Sequence, residues 1–308
     1  MPTLRQLRYL VAVTDTLNFR RAAQTCHVSQ PTLSAQLRAL EERLEVQLVE
    51  RSRHRVLLTP IGREIAARSR EVLSSVQDII DIAERGRHIL EGMLKVGVLP
   101  SLGPYLLPHV LPYLKVRYPK LALYLREDTA GHLLRQLDDG DLDLLIFPLP
   151  VTRDGFDYTP LFDEPLLIAF PRDHPLAKKE RPRGRDLRGE TVLVLERGHS
   201  LHETVLDLAR EHGAKPLLDF ETTSLDTLRQ MATMGVGATF LPALYVKAEA
   251  ADDPEIVVRH FSDPEPKRRI GLVWRKKSAR RSEYLALATH IRDALAESVP
   301  EVTLLTRG

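Results

Sequence analysis

The most constraining feature of this chain is a pair of short amphipathic patterns separated by an abrupt break. After Asn18, a candidate N-cap, Phe19, Ala22, Ala23 and Cys26 recur at helical spacing. His27 and Val28 interrupt them, and Ser29 and Pro31 then supply a cap and a first turn for a helix whose buried stripe is Leu33, Leu37, Leu40, Leu44 and Leu48. Leu4, Leu7, Leu10 and Val11 place one more helix in front. Ala22 and Ala23 are small enough for helices two and three to approach closely. This is the grammar of a helix-turn-helix, the bland alternative being a structural helical hairpin beside a solvated basic loop. Gln30, Pro31, Thr32, Ser34 and Arg38 then fall at the exposed start of helix three, where a recognition helix meets the major groove. Glutamine bonds adenine edges, serine and threonine reach bases or phosphate, and arginine prefers guanine or phosphate.

Charge follows the same division. The whole chain of 308 residues carries a formal net charge of only +2, yet residues 1 to 60 hold nine arginines against five acidic residues. Any attraction to nucleic acid is therefore local. Past the leucine stripe, Glu50 to Thr59 alternates like a wing hairpin, placing Arg51, Arg53 and Arg55 where they grip phosphates. With 43% hydrophobic and 28% charged residues the chain is an ordinary globular protein, long enough for two or three modules. A single cysteine, Cys26, excludes an intramolecular disulfide framework and any multi-thiolate metal cluster, and suits a reducing compartment. No secretory signal pattern and no transmembrane run is present, so a cytoplasmic location is expected, with no membrane partner.

From Pro60 to about Leu90, Ile61, Ile65, Val72, Leu73, Val76, Ile80 and Ala83 keep a helical period. Such a stripe on a helix leaving a small basic module wants a second copy, which sets two recognition helices on two half-sites. Strands then alternate with helices. The first set is Leu94 to Leu99, Leu121 to Arg126 and Leu142 to Phe147; after Pro148, Pro150 and a loop to Pro160, a second set runs through Leu166 to Phe170, Thr191 to Leu195, Leu217 to Phe220 and Ala238 to Leu241. A last strand, Ile270 to Trp274, and a last helix return to the first set. Two α/β lobes with two crossings enclose a cleft, and ligands of such sheets bind at strand carboxyl ends. The loops there, Pro100 to Gly103, Asp128 to Gly131 and Gly198 to His202, bring Ser101, Thr129, His199 and Ser200 to helix starts, where hydroxyls and backbone amides suit a small polar or anionic effector or serve as ordinary caps.

The run FRRAAQTCHVSQPTLSAQLRALEERLEVQLVERSRHRVLLTPIGRE, with its AA, SQPTLS, LE and LTPIG elements in order, resembles the DNA-binding domain of LysR-type transcriptional regulators. The resemblance extends over essentially the whole chain. It implies an α/β protein with an N-terminal winged helix-turn-helix (1–59), a long dimerising linker helix and hinge (60–92) and a C-terminal two-lobed, periplasmic-binding-protein-like effector domain (93–308). Lobe one would be about 93–163 plus 267–308 and lobe two about 164–266. It also implies a double-stranded operator, a dimer or tetramer, RNA polymerase as a partner, and no cofactor.

VGVLPSLGPYLLPHVLPYL, LFDEPLLIAF, LERGHSLHE and TTSLDTLRQM are most similar to the OxyR-type peroxide sensors within that family. Aligned on them, the reactive cysteine position holds Ser200 and the resolving position Ala209; the two peroxide-holding threonines become Ser101 and Ala130, and a pocket histidine becomes Asp219. A hydroxyl does not ionise near neutral pH or climb the sulfenic acid to disulfide ladder. The expected regulator is therefore one with an OxyR-like frame, no cysteine switch and a reversible effector around Ser101, Thr129, Ala130, His199, Ser200 and Asp219. A cysteine-substituted sensor locked as a reduced-form mimic would explain Ser200 and Ala209, but less readily Ala130 and Asp219.

Two other classes fare worse. Gly198-His199-Ser200-Leu201-His202 sets a hydroxyl between imidazoles, but lacks the second glycine of a nucleophile elbow, and His202-Glu203 lacks the second histidine of a zinc motif. No enzyme and no metal site is expected. A two-lobed solute-binding protein shares the architecture of the remainder but has no use for a basic helix-turn-helix.

Overall fold

The computed structural model describes residues 1–51, 56–85, 90–220, 222–262 and 264–305; of residues 51 and 80–85 only the backbone enters the description. The chain divides into two compact units, Met1–Arg87 and His88–Gly308.

The first unit is built from capped helices. Helix α1 (Leu4–Thr16) opens with a capping box: the Thr3 hydroxyl accepts from the Gln6 amide at 3.2 Å and the Gln6 side chain accepts from the Thr3 amide at 3.0 Å. Helix α2 (Phe19–Thr25) starts where Asn18 accepts from the Arg20 and Arg21 amides, both at 3.0 Å. Helix α3 (Gln30–Leu44) starts where Ser29 accepts from the Thr32 amide at 3.3 Å, with Pro31 in the first turn. Leu33, Leu37 and Leu40 are fully buried against Leu10, Val13 and Ala22. The leucine stripe is shorter than its spacing suggests. Glu45 takes a left-handed conformation, φ 55°, and ends α3 after Leu44, so Leu48 reaches the same core from the following loop.

Strands β1 (Val49–Arg51) and β2 (Val56–Leu58) pair antiparallel, Val49 opposite Leu58, as the arms of the wing. Helix α4 (Pro60–Arg85) follows with 26 residues, about 39 Å at 1.5 Å per residue. Thr59 links wing and helix: its hydroxyl donates to the Gln47 carbonyl at 2.8 Å and accepts from the Gly62 amide at 2.9 Å. Ile65, Ala66 and Ser69 pack inward and Arg70 pairs with Asp15 of α1, whereas Val72 and Ile79 are 43% and 64% exposed.

The second unit alternates strands and helices: β3 (Gly92–Val98), α5 (Gly103–Arg117), β4 (Leu121–Glu127), α6 (Ala130–Asp139), β5 (Leu144–Leu149), β6 (Phe156–Pro171), β7 (Thr191–Leu193), α7 (His202–Glu211), β8 (Lys215–Leu217), α8 (Leu225–Thr233), β9 (Thr239–Pro242), the single turn α9 (Ala243–Tyr245), β10 (Ile256–Arg259), β11 (Lys267–Arg275), α10 (Arg281–Ser298) and β12 (Thr303–Leu304). Parallel β3, β4 and β5 form one lobe with antiparallel β11 and the first half of β6; the second half of β6 carries β9 and β10, and β7 pairs parallel with β8. One core surrounds Leu94, Val98, Phe162 and Trp274, the other Ile168, Phe170, Val192 and Phe240. No described helix is long and apolar enough to cross a membrane.

Two sequence expectations need correction here. The stretch from Pro148 to Pro160 is mostly strand: β5 continues through Pro148, beyond the part that pairs with β3, and β6 begins at Phe156. A register shift at Ile270/Gly271 absorbs Pro160, a bulge being one of the few places a sheet admits proline. The apolar run Leu217 to Phe220 is not a strand. Its partner β7 offers only three residues, so β8 spans Lys215–Leu217, and Leu218 and Phe220 emerge 46% and 60% exposed.

Candidate functional site

At the start of α3, Gln30, Pro31, Thr32 and Arg38 are exposed and Ser34 is half-buried, all off the leucine stripe. The Thr32 hydroxyl lies 2.7 Å from that of Ser29, so it shares in the cap. Wing and helix are fixed to each other by Glu41, which sequence reasoning missed: one carboxylate oxygen accepts from the amides of Leu48 and Val49 at 2.9 and 3.0 Å. The backbone of Arg51 ends β1, while Arg53 and Arg55 lie outside the described residues. Cys26 packs half-buried against this core, and burial pushes its thiol up from its ordinary value, with Arg8 opposing. It has the environment of a packing residue.

In the second unit the residues singled out from sequence fall at carboxyl ends of parallel strands: Ser101 after β3, Thr129 and Ala130 after β4, His199 and Ser200 after β7, Asp219 after β8. None of the hydroxyls caps its helix. Helices α5, α6 and α7 begin after Leu102, Thr129 and Leu201 without a side-chain cap bond. At α6 the role passes to Asp128, whose carboxylate accepts from the Thr129 amide at 2.8 Å and lies 3.1 Å from His132. Asp219 and Thr129 are exposed; Ala130 packs partly into the lobe-one core and Ala209 is fully buried in that of lobe two.

The best-formed polar cluster was only half visible in the sequence. Ser101 is buried, its hydroxyl and carbonyl accepting from Arg268 at 3.1 and 2.9 Å. Arg268, 6% exposed, also donates to Glu164 at 2.7 Å, and the other oxygen of Glu164, 0% exposed, accepts from the Leu244 amide at 2.9 Å. Glu164 stands midway along β6, where that strand passes from one lobe to the other, and Leu244 buries its side chain in the lobe-one core although Tyr245 belongs to that of lobe two. Tyr105 adds an edge contact to Tyr245, ring centroids 5.1 Å apart. The sequence held no local signal for either: Glu164 stands beside Asp163 and Arg268 between Lys267 and Arg269, so each reads as one of a run of exposed charges until the tertiary contact buries it.

His199 feels this cluster. Burial, the Arg268 charge and His202 push its imidazole down to about 4, so it is neutral at physiological pH. Its Nδ1 accepts from the Leu201 amide at 3.3 Å, which leaves the ring proton on Nε2. Ser200 beside it has a buried hydroxyl with no hydrogen-bond partner among the described residues. A donor imidazole and an unsatisfied hydroxyl can bind an acceptor; they contain no base and nucleophile in mutual contact.

Residues 4–63 match the bacterial regulatory helix-turn-helix protein model of the lysR family, and residues 87–296 match the LysR substrate binding domain. The chain belongs to the LysR family. It is 45% identical over 289 residues to the DNA-binding transcriptional dual regulator OxyR of Escherichia coli K12, covering 94% of each chain. A full-length OxyR of Pseudomonas aeruginosa with a cysteine replaced by aspartate has a TM-score of 0.78 at 37% identity, covering 94% of each chain. A Corynebacterium glutamicum OxyR with cysteine replaced by serine and H2O2 bound has a TM-score of 0.66 at 35% identity, covering 97% and 96%. This is a LysR-type transcriptional regulator of the OxyR group and not an enzyme, and its one cysteine lies in the helix-turn-helix unit.

Proposed function

We propose that this LysR-type regulator binds an operator as a dimer or tetramer and is switched by a small polar or anionic molecule held between the lobes, without thiol chemistry. The observation that carries the effector reading is the buried, unpartnered hydroxyl of Ser200 next to neutral His199, within the field of Arg268. An unsatisfied buried hydroxyl costs about 1–3 kcal/mol, a cost that a bound acceptor removes. Ser101, Thr129, Ala130 and Asp219 complete the candidate set at the same strand ends. Effector binding favours one lobe arrangement and through it one spacing of recognition helices. The exposed Val72 and Ile79 of α4 support pairing with a second copy. RNA polymerase is the further partner, and the cytoplasm the location.

Gln30, Pro31, Thr32, Ser34 and Arg38 contact the groove, and Arg51, Arg53 and Arg55 the phosphates. An operator is obtained by selecting from random duplexes with the purified chain. Arg38→Ala is expected to weaken binding to it and to lower the slope of log K against log salt by about 0.9 for each phosphate no longer neutralised. Unchanged affinity and slope would move the recognition surface elsewhere. The effector is sought by screening polar metabolites for a rise in the melting temperature of the chain and a change in operator footprint. Ser200→Ala should weaken any true hit, and a hit indifferent to that substitution would place the ligand outside this site.

A further inference from the structure

Lobe two carries a surface used by neither the recognition helix nor the cleft. Between Lys178 and Arg188 lie six cations and two carboxylates, in a chain whose net charge is only +2. The segment is firmly anchored. Ala177, Pro182, Gly184 and Leu187 are buried, and every cation of the segment is exposed. Arg259 donates to the carbonyls of Ala177 and Lys179, both at 3.2 Å, and the Ser262 amide donates to the Pro182 carbonyl at 3.0 Å. Gly184 lies against His212, where a Cβ would stand 2.2 Å from the ring, so the backbone packs closely there and a larger residue does not fit without displacing the ring. Of the two carboxylates, Asp186 is bound by Lys179 at 2.6 Å and by the Arg183 amide at 2.9 Å, which holds it well below the usual carboxylate range. Glu180 is the only other acid of the segment to set against Lys178, Arg181, Arg185 and Arg188.

We propose that this ridge, displaying Lys178, Arg181, Arg185 and Arg188 from a fixed backbone, is a second, sequence-independent contact for duplex phosphate that grips DNA flanking the operator. Arginine forks match phosphate oxygens, and a backbone already fixed by burial leaves only side-chain entropy to lose on binding. The proposal rests on operator binding by the first unit: because the two units are one chain, duplex held by the first is offered to the ridge as an intramolecular partner. No base contact is needed, because phosphate binding positions a protein without reading sequence.

The test uses the full chain and the selected operator in two lengths, the bare site and the site with two further helical turns of duplex on each side. Wild-type protein should show a steeper salt slope on the long duplex, by about 0.9 for each extra phosphate engaged. The combined variant Arg181→Ala, Arg185→Ala, Arg188→Ala should keep the short-duplex affinity, lose the extra slope and bind the long duplex roughly tenfold more weakly at low salt. Arg185→Glu should reduce long-duplex binding on its own. Equal wild-type slopes on the two lengths, or equal losses by the variant on both, would overturn the ridge. So would lost transcription with unchanged binding to both duplexes, which assigns the surface to a protein partner. Failure of specific binding to the short duplex is a different result, against the first unit; the slopes of wild type and variant on non-specific duplex then decide the ridge, and equal slopes reject it.

Discussion

Arg268→Ala should destabilise the effector unit by about 3–5 kcal/mol, the usual cost of breaking a buried ion pair from one side. The loss is not the packing of one side chain. It strands the carboxylate of Glu164, wholly buried and left with only the Leu244 amide, and removes both donors that hold Ser101. For a unit of this size the melting temperature should fall by roughly 10 °C. The double variant Arg268→Met with Glu164→Gln should recover most of the loss, because a neutral amide still accepts from Leu244 while no charge remains buried. A spectroscopic readout separates this from generic unfolding. Without the Arg268 charge the His199 imidazole should titrate above its present value of about 4, visible by NMR at a temperature where the variant is folded. A drop below 1 kcal/mol by denaturant titration, with an unmoved His199, would mean that Glu164 finds water and that the cluster does not organise the junction between lobes.

The second large effect is expected at Gly62. Within a helix, alanine normally beats glycine by about 1 kcal/mol, so propensity alone predicts that Gly62→Ala stabilises α4. The close approach reverses the sign: an added Cβ would lie 2.0 Å from the Leu48 carbonyl oxygen. That carbonyl has little freedom to yield. It accepts from the Thr59 amide at 3.1 Å and the Thr59 hydroxyl at 3.3 Å, and the Leu48 amide is held by Glu41. Overpacking of this kind typically costs about 1–3 kcal/mol, and against backbone it sits at or above the upper end, leaving a net loss of about 2–3 kcal/mol. Thermal unfolding of the full chain, followed by a probe in the first unit, measures it. A stabilised Gly62→Ala protein would show that wing and linker helix are not locked together here.

The helix-turn-helix was legible because each of its parts is local. Caps at Asn18 and Ser29 and a leucine stripe specify the elements within one or two turns, and the structure places Leu33, Leu37 and Leu40 in the core as their spacing requires. The end of α3 was misplaced by one turn, since Glu45 adopts a left-handed conformation with no glycine to announce it. In the second unit, strands and helices were recognisable singly, but β6 was not. The stretch to Pro160 read as a loop and Leu166 to Phe170 as a separate strand, and only pairing with β11 along the first half and with β9 and β10 along the second, all distant in sequence, makes one strand of sixteen residues of them. The site shows the same limit. His199 and Ser200 stood out by motif, whereas Arg268, Glu164 and Leu244 meet through tertiary contacts between distant segments. Ser101 was singled out for its hydroxyl, but that its oxygen accepts from Arg268 was not visible in the sequence.

The central claim, an OxyR-like frame that responds to a bound molecule rather than to thiol oxidation, is tested most directly by footprinting the selected operator with the purified chain before and after peroxide. The predicted result is specific protection of identical length, position and affinity in both conditions. A reversible, peroxide-dependent shift of the footprint would contradict the account and require sensing through some group other than a cysteine pair.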